Sequence, residues 1–400
     1  MNKNIASLHR VAEKTNRNII GLMSGTSLDG LDIALCNIEG HGRNMKLKLE
    51  NFITVPYDDE FKQEVKSVFS KEMVNLQQLT LLNEWIGKKH AAIINDTLSH
   101  WKTDRTSVDC IASHGQTIYH APLSLHGRTA FGNGTLQIGD GDHIAVHTGI
   151  LTISDFRQKH IAAGGEGAPL AAYGDYLLFS EKERDVILLN IGGIANFSYL
   201  PGDTDASGMF SSDVGPGNTM MDAYMQQQFP GNYFDTDATI AKQGTVNEGL
   251  LKALLDNNFL QQPLPKTTGP ELFNLAYLEK AKAVSDTRKL GITDTMATLN
   301  RFTAVTIVNA IAPLLTGRRK ASIYASGGGI HNPLLMDYLS NHLEHVPILS
   351  TLEKGINPDA KEAVLFAILA NECIAGEADS IPFSINNFPA ITMGKISFPG

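Results

Sequence analysis

Asp213 is the residue in this 400-residue chain best placed by its neighbours to do chemistry. It stands in "SSDVGPGNTMMDAY" (211–224), ahead of Gly215-Pro216-Gly217, a turn that resists helix, with Asn218 placed to cap a helix beginning near Thr219. A carboxylate on a rigid turn beside a helix N-terminus can activate a hydroxyl or a water as general base. The plainer alternative is an Asp that binds turn amides. Asp222, one turn further on, reads as a first-turn or packing residue. Three glycine turns accompany this motif: Ser24-Gly25-Thr26-Ser27 followed by Asp29-Gly30, then Gly192-Gly193, then Gly327-Gly328-Gly329. Glycine at a strand end lets backbone approach a ligand closely, and converging N–H groups hold anions. The first turn has no Lys and is followed by a period-two apolar pattern, so it is a β-hairpin rather than the phosphate loop that opens a helix. Together the turns suggest one nucleotide, with Ser24–Ser27 and Gly192-Gly193 at the phosphates and Gly327–Gly329 at the nucleoside.

Two further groups carry polar side chains at strand ends. In "SDFRQKHIAAGG", Ser154, Asp155 and Arg157 close a strand; Arg157 is suited to grip a carboxylate bidentately, or else to pair with Asp155. His114, Gln116 and Thr117 directly follow the buried strand "VDCIAS" (108–113), where they can hydrogen-bond a sugar. His143 and His147 have helical spacing but lack the carboxylate of a zinc-protease motif, and read as surface or helix residues.

The elements that must position these residues follow from hydrophobic periodicity. Ile19–Glu39 forms a hairpin that "MKLKLENFITV" extends to three strands, and Leu76–Trp101 is the clearer of two helices that follow. Residues 132–141 carry short strand and turn signals, and "ILTISDF" (150–156) another strand. "DVILLNIGGIANFSYL" (185–200) repeats the opening arrangement of strand, tight turn and strand. Helices are expected over 218–229, 276–288, 293–314, near Pro333, and from about Pro358 to Ile374; "ASIYAS" (321–326) is a strand. The expected fold is α/β, with domains at 1–150 and 151–400 and the last helix free to pack back on the first domain.

Bulk composition agrees with a globular protein: 42% hydrophobic and 19% charged residues can bury a sizeable core. A net charge of −9 without a basic stripe argues against nucleic acid as a partner. No apolar run is read as approaching the ~20 residues that span a membrane, and the N-terminus lacks a secretory apolar core. Cys36, Cys110 and Cys373 are odd in number and far apart, which suits reduced thiols in a cytoplasmic protein.

Seven blocks in order resemble one family, the anhydro-N-acetylmuramic acid kinases: "GLMSGTSLDGLD" (21–32), "SHGQT" (113–117), "SDFR" (154–157), "IAAGGEGAPL" (161–170), "NIGGIAN" (190–196), "DVGPGNTMMD" (213–222) and "SGGGIHNPLL" (326–335). The resemblance implies the sugar kinase/Hsp70/actin fold, a duplicated ribonuclease H-like α/β unit with ATP in the interdomain cleft. It implies a cytoplasmic, homodimeric enzyme that works with Mg²⁺ and has no membrane partner. The implied reaction phosphorylates O6 of 1,6-anhydro-N-acetylmuramic acid while water opens the anhydro bridge, giving N-acetylmuramic acid 6-phosphate in cell-wall recycling. Asp213 then takes the catalytic position. Sugar contacts fall on His114, Gln116, Thr117, Asp155, Arg157 and Glu362. ATP contacts fall on Ser24, Gly25, Thr26, Ser27, Asp29, Gly192, Gly193, Asn196, Gly327, Gly328, Gly329 and Asn332. No direct metal ligand is assigned. The chain departs from the family pattern at Ser212, usually aromatic, at His160, often Asp, and in extra sequence around Leu123–Thr135. Where the wider fold often carries an acidic residue three before the Thr, Met23 stands. Two alternatives remain at this stage: a kinase of another anhydrosugar such as levoglucosan, and a non-catalytic sugar-responsive binding protein.

Overall fold

Alternation of apolar and polar residues from Asn16 to Glu39 produces two strands, β1 (Asn16–Ser24) and β2 (Gly30–Glu39), paired antiparallel from Asn16↔Glu39 to Ser24↔Leu31. The computed structural model describes residues 1–168, 170–203, 208–316, 320–343, 346–377, 384–385 and 388–400. The chain divides into two units: residues 1–178 with 355–400, and residues 179–354.

In the first unit β3 (Lys46–Pro56) pairs antiparallel with β2, while β4 (Cys110–Ala121) pairs parallel with β1. Next, β5 (Gly134–Ile138) pairs antiparallel with the end of β4, and β6 (Thr152–Ser154) runs parallel to β4. The strand Lys395–Ser397 closes the far edge against β6. Pairing of Ile111 with Thr152 is what carries this unit past the boundary expected at 150/151, since β6 is held by β4. One face is covered by helices Asp59–Val68 and Leu76–Trp101, whose Phe61, Val65, Ile86 and Ile94 join Ile20, Leu22 and Ile33 in a single core. Helix Lys361–Ala375 packs on β1, and Gly21 is the point of contact: a Cβ there would stand 1.9 Å from the Ala363 carbonyl oxygen.

The second unit is built alike. Strands β7 (Arg184–Ile191), β8 (Ile194–Leu200) and β9 (Phe210–Pro216) form an antiparallel meander; β10 (Lys320–Ser326) lies parallel to β7, and β11 (Ile348–Ser350) parallel to β10. The order β3-β2-β1-β4-β6 of the first sheet therefore recurs as β9-β8-β7-β10-β11 in the second, with the same pattern of parallel and antiparallel pairs. That repeated order is the duplicated ribonuclease H-like α/β topology. Helix Ile292–Ile311 and its continuation to Leu315 make an apolar segment of 24 residues, longer than the sequence reading allowed. Its apolar side chains are core: Phe302, Ala304, Ile307 and Ile311 are fully buried within the second unit.

Candidate functional site

Asp213 lies within β9, not on a turn, because the extended backbone continues through Gly215 and Pro216. Its neighbours set its chemistry. Oδ2 accepts from the Thr268 amide at 2.9 Å, and Oδ1 makes no hydrogen bond among the described residues. Burial raises the Asp213 pKa and Glu271 adds to this, while the Thr268 amide opposes it. The backbone is pinned as well: the Asp213 amide donates to the Lys266 carbonyl at 2.9 Å, and Ser212 Oγ accepts from the Lys266 amide at 2.9 Å. A small hydroxyl at 212, where the family usually has an aromatic ring, thus anchors the 264–268 segment to β9.

The Gly215-Pro216-Gly217 stretch docks on the Gly192-Gly193 hairpin. The Gly217 and Asn218 amides donate to the Gly193 and Gly192 carbonyls, each at 2.8 Å. A Cβ at Gly217 would stand 2.1 Å from the Gly192 oxygen, so only glycine permits this approach. Asn218 does not cap the helix Thr219–Gln228 with its side chain; it lacks an extended capping conformation, and its Nδ2 donates to the Ile191 carbonyl at 3.2 Å. Asp222, in that helix's first turn, is half-buried with its pKa pushed up to about 6 by burial.

Strand register assembles a polar row across the second sheet: Ser326↔Asn190 between β10 and β7, Asn190↔Asn196 between β7 and β8, and Asn196↔Asp213 between β8 and β9. Asn190 is a residue the sequence reading passed over. Its amide lies between two glycine turns, with Oδ1 2.6 Å from a Cβ built at Gly327 and Nδ2 3.5 Å from one built at Gly192. Gly328 is exposed, whereas the Asn332 side chain is occupied: its Oδ1 caps the helix Pro333–His342 through the Leu335 amide at 3.0 Å and accepts from Asn300 at 2.9 Å.

In the first unit, the Ser24–Ser27 turn has an inward and an outward part. Thr26, Ser27 and Asp29 are exposed, and their side chains make no hydrogen bond among the described residues. Ser24 is buried, donating to Gln116 Oε1 at 2.5 Å and accepting from Tyr57 at 2.7 Å. Gln116 faces this interior contact, and its Nε2 reaches the Gly25 carbonyl at 3.4 Å. His114, Gln116 and Thr117 do not follow a strand. They lie inside β4, because antiparallel pairing with β5 prolongs it to Ala121. Thr117 Oγ1 accepts from Gln137 at 3.2 Å.

Among the described residues Arg157 makes no ion pair within contact distance, with Asp155 or with any other carboxylate, though it feels the charge of Glu362. Nε donates to the buried His114 Nε2 at 2.9 Å, Nη1 donates to the Gly167 carbonyl at 3.0 Å, and Nη2 makes no hydrogen bond among the described residues. Burial first, then Arg157, push the His114 pKa down to about 3, so a neutral ring accepts the bond. His160 grips the same loop from the other side, its Nδ1 accepting from the Gly167 amide at 2.9 Å. The loop is thereby clamped at both polar groups of Gly167. Asp155 instead pairs with Lys395 of the C-terminal strand at 2.5 Å. Ser113, His114, Asp140, Asp155, Lys395 and Ser397 line a recess of about 390 Å³ in this unit.

Glu362, at the start of its helix, keeps solvent access at its side chain, yet the protein atoms crowding it withhold enough water to raise its pKa; Asp32 adds to the rise and Arg157 opposes it. Asp32 is the other residue missed. Its register partner across the hairpin is Met23, so a carboxylate sits beside the position that is often acidic in the wider fold. Thr54 donates to Asp32 Oδ1 at 2.5 Å. Burial raises the Asp32 pKa, and Asp359 and Asp29 raise it further. Among the described residues no group of three or more His, Cys, Asp or Glu has metal-binding geometry.

Similarity to known proteins shows the family. The family model described as anhydro-N-acetylmuramic acid kinase matches residues 17–398. A protein of that name from Pseudoalteromonas atlantica is 58% identical over the full length of both chains. One from Pseudoalteromonas translucida is 54% identical over 100% of both. One from Caldanaerobacter subterraneus subsp. tengcongensis is 35% identical, covering 98% of this chain and 99% of its own. With end-to-end identity of this order, and with the motif glycines and Asp213 standing on the strands and turns just described, the chain belongs to the anhydro-N-acetylmuramic acid kinase family.

Proposed function

We propose that this enzyme uses ATP and water to convert 1,6-anhydro-N-acetylmuramic acid to N-acetylmuramic acid 6-phosphate, with Asp213 as general base, in the recycling of cell-wall sugars in the cytoplasm. The observation that carries the reading is the state of Asp213: one oxygen fixed by an amide, the other open, on a strand locked to a glycine hairpin. The bridging O6 carries no proton, so it is a poor phosphoryl acceptor until its bond to C1 breaks. Asp213 takes a proton from a water, whose oxygen forms the new bond to C1. The C1–O6 pair moves onto O6, which bonds the γ-phosphorus as the bond from that phosphorus to the β,γ-bridging oxygen breaks, leaving ADP. The raised pKa of Asp213 makes it a stronger base than an ordinary Asp, which suits that role.

ATP is assigned to the glycine turns: Gly25, Thr26 and Ser27 and Gly192-Gly193 at the phosphates, and Gly327–Gly329 at the nucleoside. Ser24 and Asn332 act behind these turns through the bonds they already make. Mg²⁺ when bound would offset phosphate charge, and Asp29 and Asp32 are the carboxylates suited to its water shell. In the sugar's lactyl carboxylate Arg157 has a partner for its open Nη2, while His114, Asp155 and Glu362 supply hydroxyl and amide contacts.

The test is a substrate panel read by mass spectrometry. Purified protein with ATP and Mg²⁺ is expected to turn 1,6-anhydro-N-acetylmuramic acid into a product heavier by one phosphate and one water. Turnover of levoglucosan alone would overturn the substrate assignment, and no turnover of any anhydrosugar would overturn the kinase reading.

A further inference from the structure

Four polar side chains run inward from the first glycine turn, each almost fully buried: Gln116 at 0% exposure, Ser24 at 2%, Tyr57 at 5% and His90 at 0%. Their contacts form an unbroken chain. Gln116 Nε2 reaches the Gly25 carbonyl at 3.4 Å, Ser24 Oγ lies 2.5 Å from Gln116 Oε1, Tyr57 OH 2.7 Å from Ser24 Oγ, and His90 Nε2 3.0 Å from Tyr57 OH. The direction of every proton follows from one end. Gln116 uses its amide hydrogens on the Gly25 and Thr117 carbonyls, so Oε1 is left to accept. Ser24 must then donate to Gln116, Tyr57 must donate to Ser24, and His90 must donate from Nε2 to Tyr57.

His90 is consequently a neutral ring with its proton on Nε2, and its Nδ1 has no hydrogen-bond partner among the described residues. Protonating that nitrogen would bury a donor with nothing to receive it, in accord with a pKa depressed to about 4 by burial. The chain is also held mechanically. Tyr57 stacks on Phe61 with centroids 3.7 Å apart and planes 12° from parallel, and Phe61 stacks in turn on Trp85. None of these groups reaches the turn's exposed face, so none is a candidate to touch a ligand. An apolar interior could have filled the same space without the cost of four buried polar groups.

We infer that Tyr57 and His90 are positioning residues for the first glycine turn, fixing the Gly25 carbonyl through Ser24 and Gln116 so that the turn presents one arrangement of amides to ATP. The inference rests on the reading that this turn receives the phosphates. Tyr57→Phe removes one hydroxyl from a stacked ring, leaving Ser24 without its donor and the His90 N–H without an acceptor. The expected result is a KM for ATP raised about tenfold, with the KM for the sugar moving less than about twofold, as suits one buried hydrogen bond lost behind one site. His90→Leu should reproduce the ATP effect, and His90→Gln, which restores a donor at the Nε2 position, should return the KM for ATP toward wild type. Hydrogen exchange of wild-type peptides spanning residues 24–30, with and without a non-hydrolysable ATP analogue, separates the two levels of the argument. If the analogue leaves exchange there unchanged, the phosphate assignment of the turn falls. If the turn is protected in the wild type yet Tyr57→Phe and His90→Leu leave the KM for ATP unchanged, or raise both KM values alike, the positioning role falls alone. Should Tyr57→Phe fail to fold, the His90→Leu and His90→Gln pair decides the matter by the same readings.

Discussion

The Thr268 amide leaves Asp213 with one oxygen committed and one open, which is the arrangement a base needs if its free lone pair is to be aimed. Replacing that carboxylate with an amide keeps shape and removes basicity. Asp213→Asn is expected to retain ATP binding, measured by calorimetry, while turnover falls by about 10²–10⁴-fold, the usual worth of a positioned general base. Near-wild-type turnover would remove Asp213 from the chemistry. The same residue sets a pH dependence. Its pKa is raised by burial, and it works only when deprotonated, so kcat/KM should fall on acidification along a limb lying above an ordinary Asp titration. At this scale a motif in the sequence can name candidates by residue type, as with Asp213 and Arg157. The sequence was silent on Asn190 and Asp32, which come forward only through register: Asn190 faces Asn196, and Asp32 faces Met23, across strands. The inward turn of Ser24 and Gln116 was equally hidden, because a hydroxyl in a glycine loop looks the same in sequence whichever way it points.

Elements meet at glycines whose missing side chains are part of the packing. Helix Lys361–Ala375 brings Glu362 toward Asp32 and Arg157 only because β1 offers it a bare backbone at Gly21. Gly21→Ala, with its Cβ 1.9 Å from the Ala363 oxygen, must push helix and strand apart. Overpacking of this kind costs roughly 1–3 kcal/mol, so the urea midpoint should fall by the corresponding amount. Because Glu362 rides on the displaced helix, the KM for the sugar should rise in the same variant, and an unchanged midpoint would show that the helix yields without cost. Elements were legible where pairing is local. Period-two alternation and tight glycine turns marked both hairpins, and three- and four-residue spacing marked the helix Leu76–Trp101. The strand Lys395–Ser397 was not legible, since what makes it a strand is β6, paired through Ser397↔Thr152 from far along the chain. The Gly-Pro-Gly stretch misled for the opposite reason: its local turn preference gives way to pairing of Gly215 with Ala195.

Acidification acts unequally on the two units. The first buries three histidines as neutral rings, with pKa values pushed down from 6.5 to about 4 for His90, about 3 for His114 and about 4 for His160, in each case chiefly by burial. A histidine whose folded pKa lies below its unfolded value contributes stability that is present above pH 6.5 and is lost as pH falls toward the folded value, because the unfolded chain binds protons the native state refuses. The raised carboxylates of the same unit, Asp32, Glu362 and Glu372, oppose this loss, each favouring the native state from its raised folded value downward. The histidine contribution begins to be lost as pH drops below 6.5. In the second unit the described sites pull the other way: Asp213 is raised, and Asp222 is raised to about 6, so protonation there stabilises the native form. Hydrogen exchange followed from pH 7 to pH 5, with rates corrected for intrinsic pH dependence, should show peptides of residues 76–121 and 150–168 losing protection before those of residues 184–200 and 210–228. His90→Gln should flatten part of that loss, since it keeps the donor at Nε2 and removes the titration. Equal loss in both units, or protection in the first unit that holds unchanged to pH 5, would mean that the buried histidines are protonated without cost, and the one-way proton chain behind the glycine turn would fall with them.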